Sequence, residues 1–111
     1  MYENNNLILK SGEAGYEYDS PWSKDPNILN NVETISFTDE VIFPQDCNGL
    51  FANLPKLNAI TGLNNIDTSR VVNMRSMFAN SKITSLDLFA WDTRNVNYMS
   101  YMFFSSCVYL N

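Results

Sequence analysis

IDTSRVVNMRSMFANS (residues 66–81) returns as WDTRNVNYMSYMFFSS (residues 91–106), the second copy displaced by 25 residues. A phrase repeated at a fixed period marks one supersecondary unit used more than once, so the repeat is read before any local propensity. Leu50 and Phe51 stand 27 residues ahead of Met77 and Phe78, which sets a third, earlier copy of the same anchor. A second series keeps the same rhythm: Val32, Ile35 and Phe37; Leu57, Ile60 and Leu63; Ile83, Leu86 and Leu88; then a new start at Val108. These series begin at 32, 57, 83 and 108, in steps of 25, 26 and 25.

Each anchor has a local meaning. Apolar residues at alternate positions put one face of a short strand inward. Met74, Met77 and Phe78 lie at i, i+3 and i+4, which predicts one face of a single helical turn, with Asn73 as its N-cap. The Asp-Thr pairs at Asp67 and Asp92 predict turns closed by side-chain hydrogen bonds to backbone. The unit is strand, turn, short helix, turn, and such a unit buries its apolar face only by stacking on its neighbours. The expected fold is an α/β solenoid: about three strand-turn-short-helix units in a right-handed parallel coil. Residues 32–111 form the array and residues 1–31 an N-terminal β cap that includes Leu7–Tyr18 and Trp22.

The repeated phrases resemble the bacterial BspA-like leucine-rich repeats, whose units read approximately DTSNVTNMSxMF followed by a leucine strand. The likeness is specific over residues 57–103 and weaker over Val32–Leu54. It implies a parallel β-solenoid and, for exported family members, binding to other proteins at a cell surface.

Composition bounds the function. At 111 residues and 17% charged, the chain is one globular domain. The net charge is −5, and residues 1–46 carry nine acids against two lysines, whereas residues 47–111 carry three acids against five basic residues. An acidic field repels nucleic acid, so no direct nucleic-acid binding is expected. With no histidine, and with only Cys47 and Cys107, no zinc set can be assembled and the usual general base is missing. The expectation is no enzyme, no metal and no cofactor, with the cysteines as free thiols. Asp67 and Asp92, stacked about 5 Å apart as equivalents in adjacent coils, would match the spacing of a retaining glycosidase. Ordinary repeat construction is the far stronger reading, since stacking places equivalent Asp residues together whether or not chemistry follows.

No stretch reaches the length of a membrane helix and no export signal precedes the repeats. That reads as cytoplasmic if Met1 is the natural start, and as secreted or cell-surface if the chain is cut from a longer relative. Two features exceed what a stable array needs. Phe103, Phe104, Val108, Tyr109 and Leu110 leave an apolar end, expected to be covered by a second copy or by another protein. Glu33, Asp39, Glu40, Asp46 and Asp87 form the acidic set expected to meet a partner. The leading expectation is a non-enzymatic protein-binding module. The alternative is a small, elongated, phage-type inhibitor that mimics nucleic-acid charge and blocks a nuclease such as an RNA-guided effector.

Overall fold

Asn4 and Asn5 both hold positive φ, 52° and 65°. Asparagine tolerates that region, and two such residues make the tight turn whose twist suits a hairpin. They join β1 (Tyr2–Glu3) to β2 (Asn6–Leu9), an antiparallel pair in which Tyr2 faces Leu7. The computed structural model of the protein describes residues 1–10, 22 and 25–106, together with the backbone of 109–110. Glu13, Glu17, Asp19, Cys107, Val108 and the Tyr109 and Leu110 side chains, all used in the sequence reading, lie outside the described residues, as does most of the expected cap segment Leu7–Tyr18.

From β2 onward every strand pairing is parallel. β2 runs beside β3 (Thr34–Phe37), which runs beside β5 (Ala59–Thr61), with Ile35 opposite Ile60. β7 (Ser85–Leu86) pairs with β8 (Tyr109–Leu110) in the same sense. On a second side of the chain β4 (Val41–Ile42) pairs with β6 (Ile66–Asp67). A third side carries the bridges Asp46 to Asn73 and Asn73 to Tyr98, again parallel. Partners lie 24 to 28 residues apart throughout, so the chain makes three passes, over residues 34–54, 59–80 and 85–106, each laid on the one before. α1 (Pro26–Asn31) precedes the first pass. The Asp25 carboxylate accepts from the Asn27 N–H at 2.9 Å, Pro26 sits where a missing N–H costs nothing, and the extended Val32 ends it.

The expected short helix at Met74–Phe78 is absent. Met77 N–H bonds to Met74 O and Ala79 N–H to Ser76 O, closing overlapping four-residue turns. The alternate amides of Met74, Ser76, Phe78 and Asn80 leave the segment and donate to the carbonyls of Tyr98, Ser100, Met102 and Phe104 in the next pass, at 2.7–3.0 Å. Cys47, Gly49, Phe51 and Asn53 donate likewise to Asn73, Arg75, Met77 and Ala79. A helix through this segment would spend the Phe78 and Asn80 amides internally, on the Met74 and Ser76 carbonyls. Ser76 and Asn80 at φ 57° also bar it, since left-handed residues occur singly, not in helices. The apolar face survives the change: Met74, Met77 and Phe78 are all fully buried.

That face builds an aromatic spine. Trp22 stacks on Phe51 (5.1 Å between centroids), Phe51 on Phe78 (5.4 Å) and Phe78 on Phe103 (5.6 Å), one ring per pass. Trp22 also donates its indole N–H to the Leu50 carbonyl at 2.7 Å. The first pass donates its amides onward and so shows only carbonyls at its leading edge; indole, a donor without acceptor, suits that edge.

The passes are further fastened at the Asp-Thr phrase. Thr68, 2% exposed, accepts the Asp92 N–H at 2.9 Å and donates to the Asp92 carbonyl at 3.2 Å. Thr68→Val keeps the shape and leaves both Asp92 groups without that partner, so a loss of about 1–3 kcal/mol is expected in denaturant unfolding. A change within about 0.5 kcal/mol would remove Thr68 from the fastening.

Candidate functional site

The third pass differs from the two beneath it in what it leaves uncovered. Met74 is 0% exposed, and its counterpart Met99 is 49% exposed. Tyr98, Tyr101 and Phe104 are also large and exposed, whereas Phe103 is partly buried by its stack on Phe78. Arg75 holds the outermost pass in place, its guanidinium 5.1 Å from the Tyr98 ring centre and its Nε donating to Ser100 Oγ at 2.9 Å.

Two positions change character along the passes. Gly49 and Ser76 give way to Tyr101, and Ala52 and Ala79 give way to Phe104. Tyr101 keeps the left-handed backbone of this position (φ 58°), as Gly49 and Ser76 do at 66° and 57°. Its ring meets Phe104 edge-on, with centroids 5.9 Å apart at 84°. The small residues form the floor and these two rings the wall of a shallow groove of about 500 Å³ that crosses all three passes. Asn48, Asn53 and Asn80 supply its amides, and Asn80 Nδ2 donates to Asn53 Oδ1 at 2.6 Å.

The backbone edge beside the groove carries one kind of group. The amides of Met99, Tyr101, Phe103 and Ser105 correspond to those that each earlier pass donates onward, and among the described residues no acceptor meets them. The carbonyls between them are already taken by the second pass. The edge is donor-only, unlike an ordinary strand edge, where donors and acceptors alternate.

The acidic set is differently employed. Glu33 accepts from Asn5 Nδ2 at 2.9 Å, Asp46 from the Asn48 N–H at 2.9 Å, and Asp87 from the Phe89 N–H at 3.1 Å. Asp39 and Glu40 are exposed in the bend between β3 and β4. Three of the five thus hold hydrogen bonds within the fold, those of Asp46 and Asp87 local and that of Glu33 reaching back to the β1–β2 turn. Phe104 is the apolar end residue that the structure places in the groove; Tyr98, Met99 and Tyr101 were missed. For Tyr98 and Tyr101 the signal was the change from Asn73 and Ser76 at fixed repeat positions, legible once the 25-residue register is applied; Met99 repeats the residue type of Met74 and carried no such signal.

Residues 31–111 match a family model described as Mycoplasma protein of unknown function, DUF285. The chain belongs to this DUF285 family. The matched span begins at the last residue of α1 and takes in all three passes, so the groove and the donor edge lie wholly inside the DUF285 unit. No curated protein and no solved structure matches the chain.

The carboxylates that could suggest hydrolysis in this DUF285 chain are turn parts. Asp67 Oδ1 accepts from the Ser69 N–H at 2.9 Å and Oγ at 2.6 Å; Asp92 accepts from the Arg94 N–H and guanidinium and forms an ion pair with it at 2.9 Å. The bonds from Ser69 hold the Asp67 carboxyl below the usual range, and those from Arg94 do the same for Asp92. A glycosidase general acid needs the opposite shift. Burial, reinforced by the Asp46 carboxylate, pushes the Cys47 thiol up to about 12, far from a nucleophilic thiolate at neutral pH. Among the described residues no group of acids and cysteines could hold a metal ion, and no helix is long and apolar enough to cross a membrane.

The same shifts fix a pH dependence. Both Asp pKa values are depressed by folding, so their contribution is complete above the unfolded value near 4 and is lost as pH falls through the folded values. Asparagine can close the same turn, as Asn73 does for the Arg75 N–H at 2.9 Å. Melting temperatures of the Asp67→Asn/Asp92→Asn double variant should lie below wild type near pH 7, fall less steeply between pH 5 and 2, and converge with wild type at the acid end. Parallel curves would show that these carboxylates do not couple to folding.

Proposed function

We propose that this DUF285 chain is a non-enzymatic protein-binding module built from BspA-like leucine-rich repeats. On this reading the three passes are the coils of a short leucine-rich-repeat-like solenoid, residues 1–31 are its cap, and the partner docks on the outermost coil. The carrying observation is the 49% exposure of Met99 beside Tyr98, Tyr101 and Phe104, in a coil whose predecessor buries the corresponding methionine completely. Exposed aromatic and methionine side chains clustered on one rigid element are the composition of a protein interface core.

A symmetric pair of copies joined end to end fits poorly, because it would set one donor-only edge against another. The nucleic-acid mimic has less support than the aromatic end. Three of its acids are occupied in hydrogen bonds within the chain, and the chain measures 36 × 30 × 24 Å, short of the elongated form such mimicry calls on.

Capture from cell lysate by the immobilised chain, at low and high salt, tests the proposal against a Tyr101→Ser/Phe104→Ala double variant. Capture that persists in high salt and is lost in the double variant is expected. Capture that salt abolishes and the double variant retains would replace this reading with charge mimicry.

A further inference from the structure

We propose that the groove at Tyr101 and Phe104 binds a proline-rich segment of the partner in the polyproline II conformation. This rests on the protein-binding reading above and names its ligand.

The groove is built for something beyond the fold. Two repeat positions that hold only glycine, alanine or serine in the lower coils hold aromatic rings in the outermost one, yet Tyr101 stays 68% and Phe104 56% exposed. The exchange therefore adds little to the core. It also places an aromatic residue at φ 58°, a conformation disfavoured for any side chain with a Cβ and most so for bulky ones. Backbone strain retained at an exposed position, without packing in return, marks sites that act on a ligand.

The chemistry of the surface then narrows the ligand. No lining residue carries a formal charge: the groove holds Asn48, Gly49, Ala52, Asn53, Ser76, Ala79 and Asn80 beside the two rings. A phosphorylated or strongly charged segment would find no counter-charge there. The two rings meet edge to face, 5.9 Å apart, and at 68% and 56% exposure they offer apolar ring surface for a small apolar ring to lie against. Four amides that meet no acceptor among the described residues, those of Met99, Tyr101, Phe103 and Ser105, run along the same coil.

The best-matched segment is therefore apolar, uncharged, rich in acceptors and poor in donors. An ordinary strand added at this edge brings its own N–H groups against amides that want carbonyls. A sugar brings as many donors as acceptors. Prolyl residues bring carbonyls without N–H groups. In polyproline II those carbonyls are outward and unbonded, and the chain is extended before it binds, which limits the entropy lost.

The test is fluorescence anisotropy of a labelled deca-proline peptide titrated with the full chain, beside a Gly-Ser peptide of equal length and unlabelled cello-oligosaccharide as competitor. Expected are saturable binding of deca-proline, at least tenfold weaker binding of the Gly-Ser peptide, and no displacement by the saccharide. Tyr101→Ser and Phe104→Ala, which restore lower-coil residue types at exposed positions, should each weaken deca-proline binding at least tenfold while the circular dichroism melt remains cooperative. Absence of saturable binding by the folded wild type, equal binding by the double variant, or displacement by the saccharide would each overturn the assignment. If deca-proline fails while lysate capture still depends on Tyr101 and Phe104, the module reading stands and only the ligand class falls; if that dependence fails too, both fall.

Discussion

Phe78→Ala should remove a large part of the stability of the whole molecule, about 3–5 kcal/mol out of a total of order 5–15 kcal/mol. Phe78 is fully buried and lies between Phe51 and Phe103, nearly parallel to both at 10° and 3°, with Trp91 at 6.2 Å. No neighbour can collapse into the gap without giving up its own stack, so the cavity term should be near the upper end. A fall in melting temperature of roughly 10–20 °C is the expected result. Phe78→Leu, which keeps most of the volume, should cost less than half as much. Hydrogen exchange supplies the local reading: amides bonded between the second and third passes should lose protection first, since the spine is cut there. A loss below about 1 kcal/mol would mean that the stacked rings are not the core's main support.

Gly62→Ala should be nearly as damaging, by a different route. Gly62 has φ 76°, and a Cβ built on it would lie 2.0 Å from the Phe37 carbonyl oxygen. That oxygen cannot withdraw, because Asn65 Nδ2 holds it at 2.7 Å and Phe37 is packed in the spine's neighbourhood against Trp22, Phe43 and Phe51. Relief requires moving the backbone of β3 or of the turn into the 3-10 segment Leu63–Asn65. Adding backbone clash to the left-handed penalty of about 1–2 kcal/mol for a non-glycine residue gives an expected loss above about 3 kcal/mol. Gly49→Ala is the internal control. Its φ is 66° but its nearest contact is Ala52 Cβ at 3.8 Å, so only the conformational penalty applies. Equal losses at the two positions in urea titrations would show that the Phe37 contact does not matter.

The spacing of the repeat and the choice of inward residues were legible because parallel stacking imposes them. Val32, Ile35, Phe37, Leu57, Ile60, Ile83 and Leu86 are all buried, as their period demanded. The helix at Met74–Phe78 was misread because i, i+3, i+4 places side chains alike on a helical turn and on overlapping turns. The discriminating signs were Gly49, Asn53 and Asn80, residue types tolerant of positive φ at matching repeat positions, and Tyr101 concealed that rule in the last copy. Asn73, expected as an N-cap, uses the same side-chain bond to open a turn. The acids were read as a surface field because charge counts carry no information on geometry. Asp25, Asp46, Asp67, Asp87 and Asp92 each accept the N–H two residues on, a local bond that the sequence allows but does not require. The partner for Trp22 was beyond sequence reading altogether, since an indole donor reveals its use only when the lone carbonyl edge is known.

The amides passed from residues 47–53 to 73–79, and from 74–80 to 98–104, have an electrical consequence. All of these bonds point the same way, so their peptide dipoles add along the stacking direction, as they do along a helix axis. The first-pass end is the negative pole and the third-pass end the positive one. The described acids Asp39, Glu40 and Asp46 belong to the first pass, at the negative pole, so side-chain charge and backbone dipole reinforce rather than cancel. The molecule should carry a large permanent moment for its size and turn its third-pass side toward a negative potential before any contact is made.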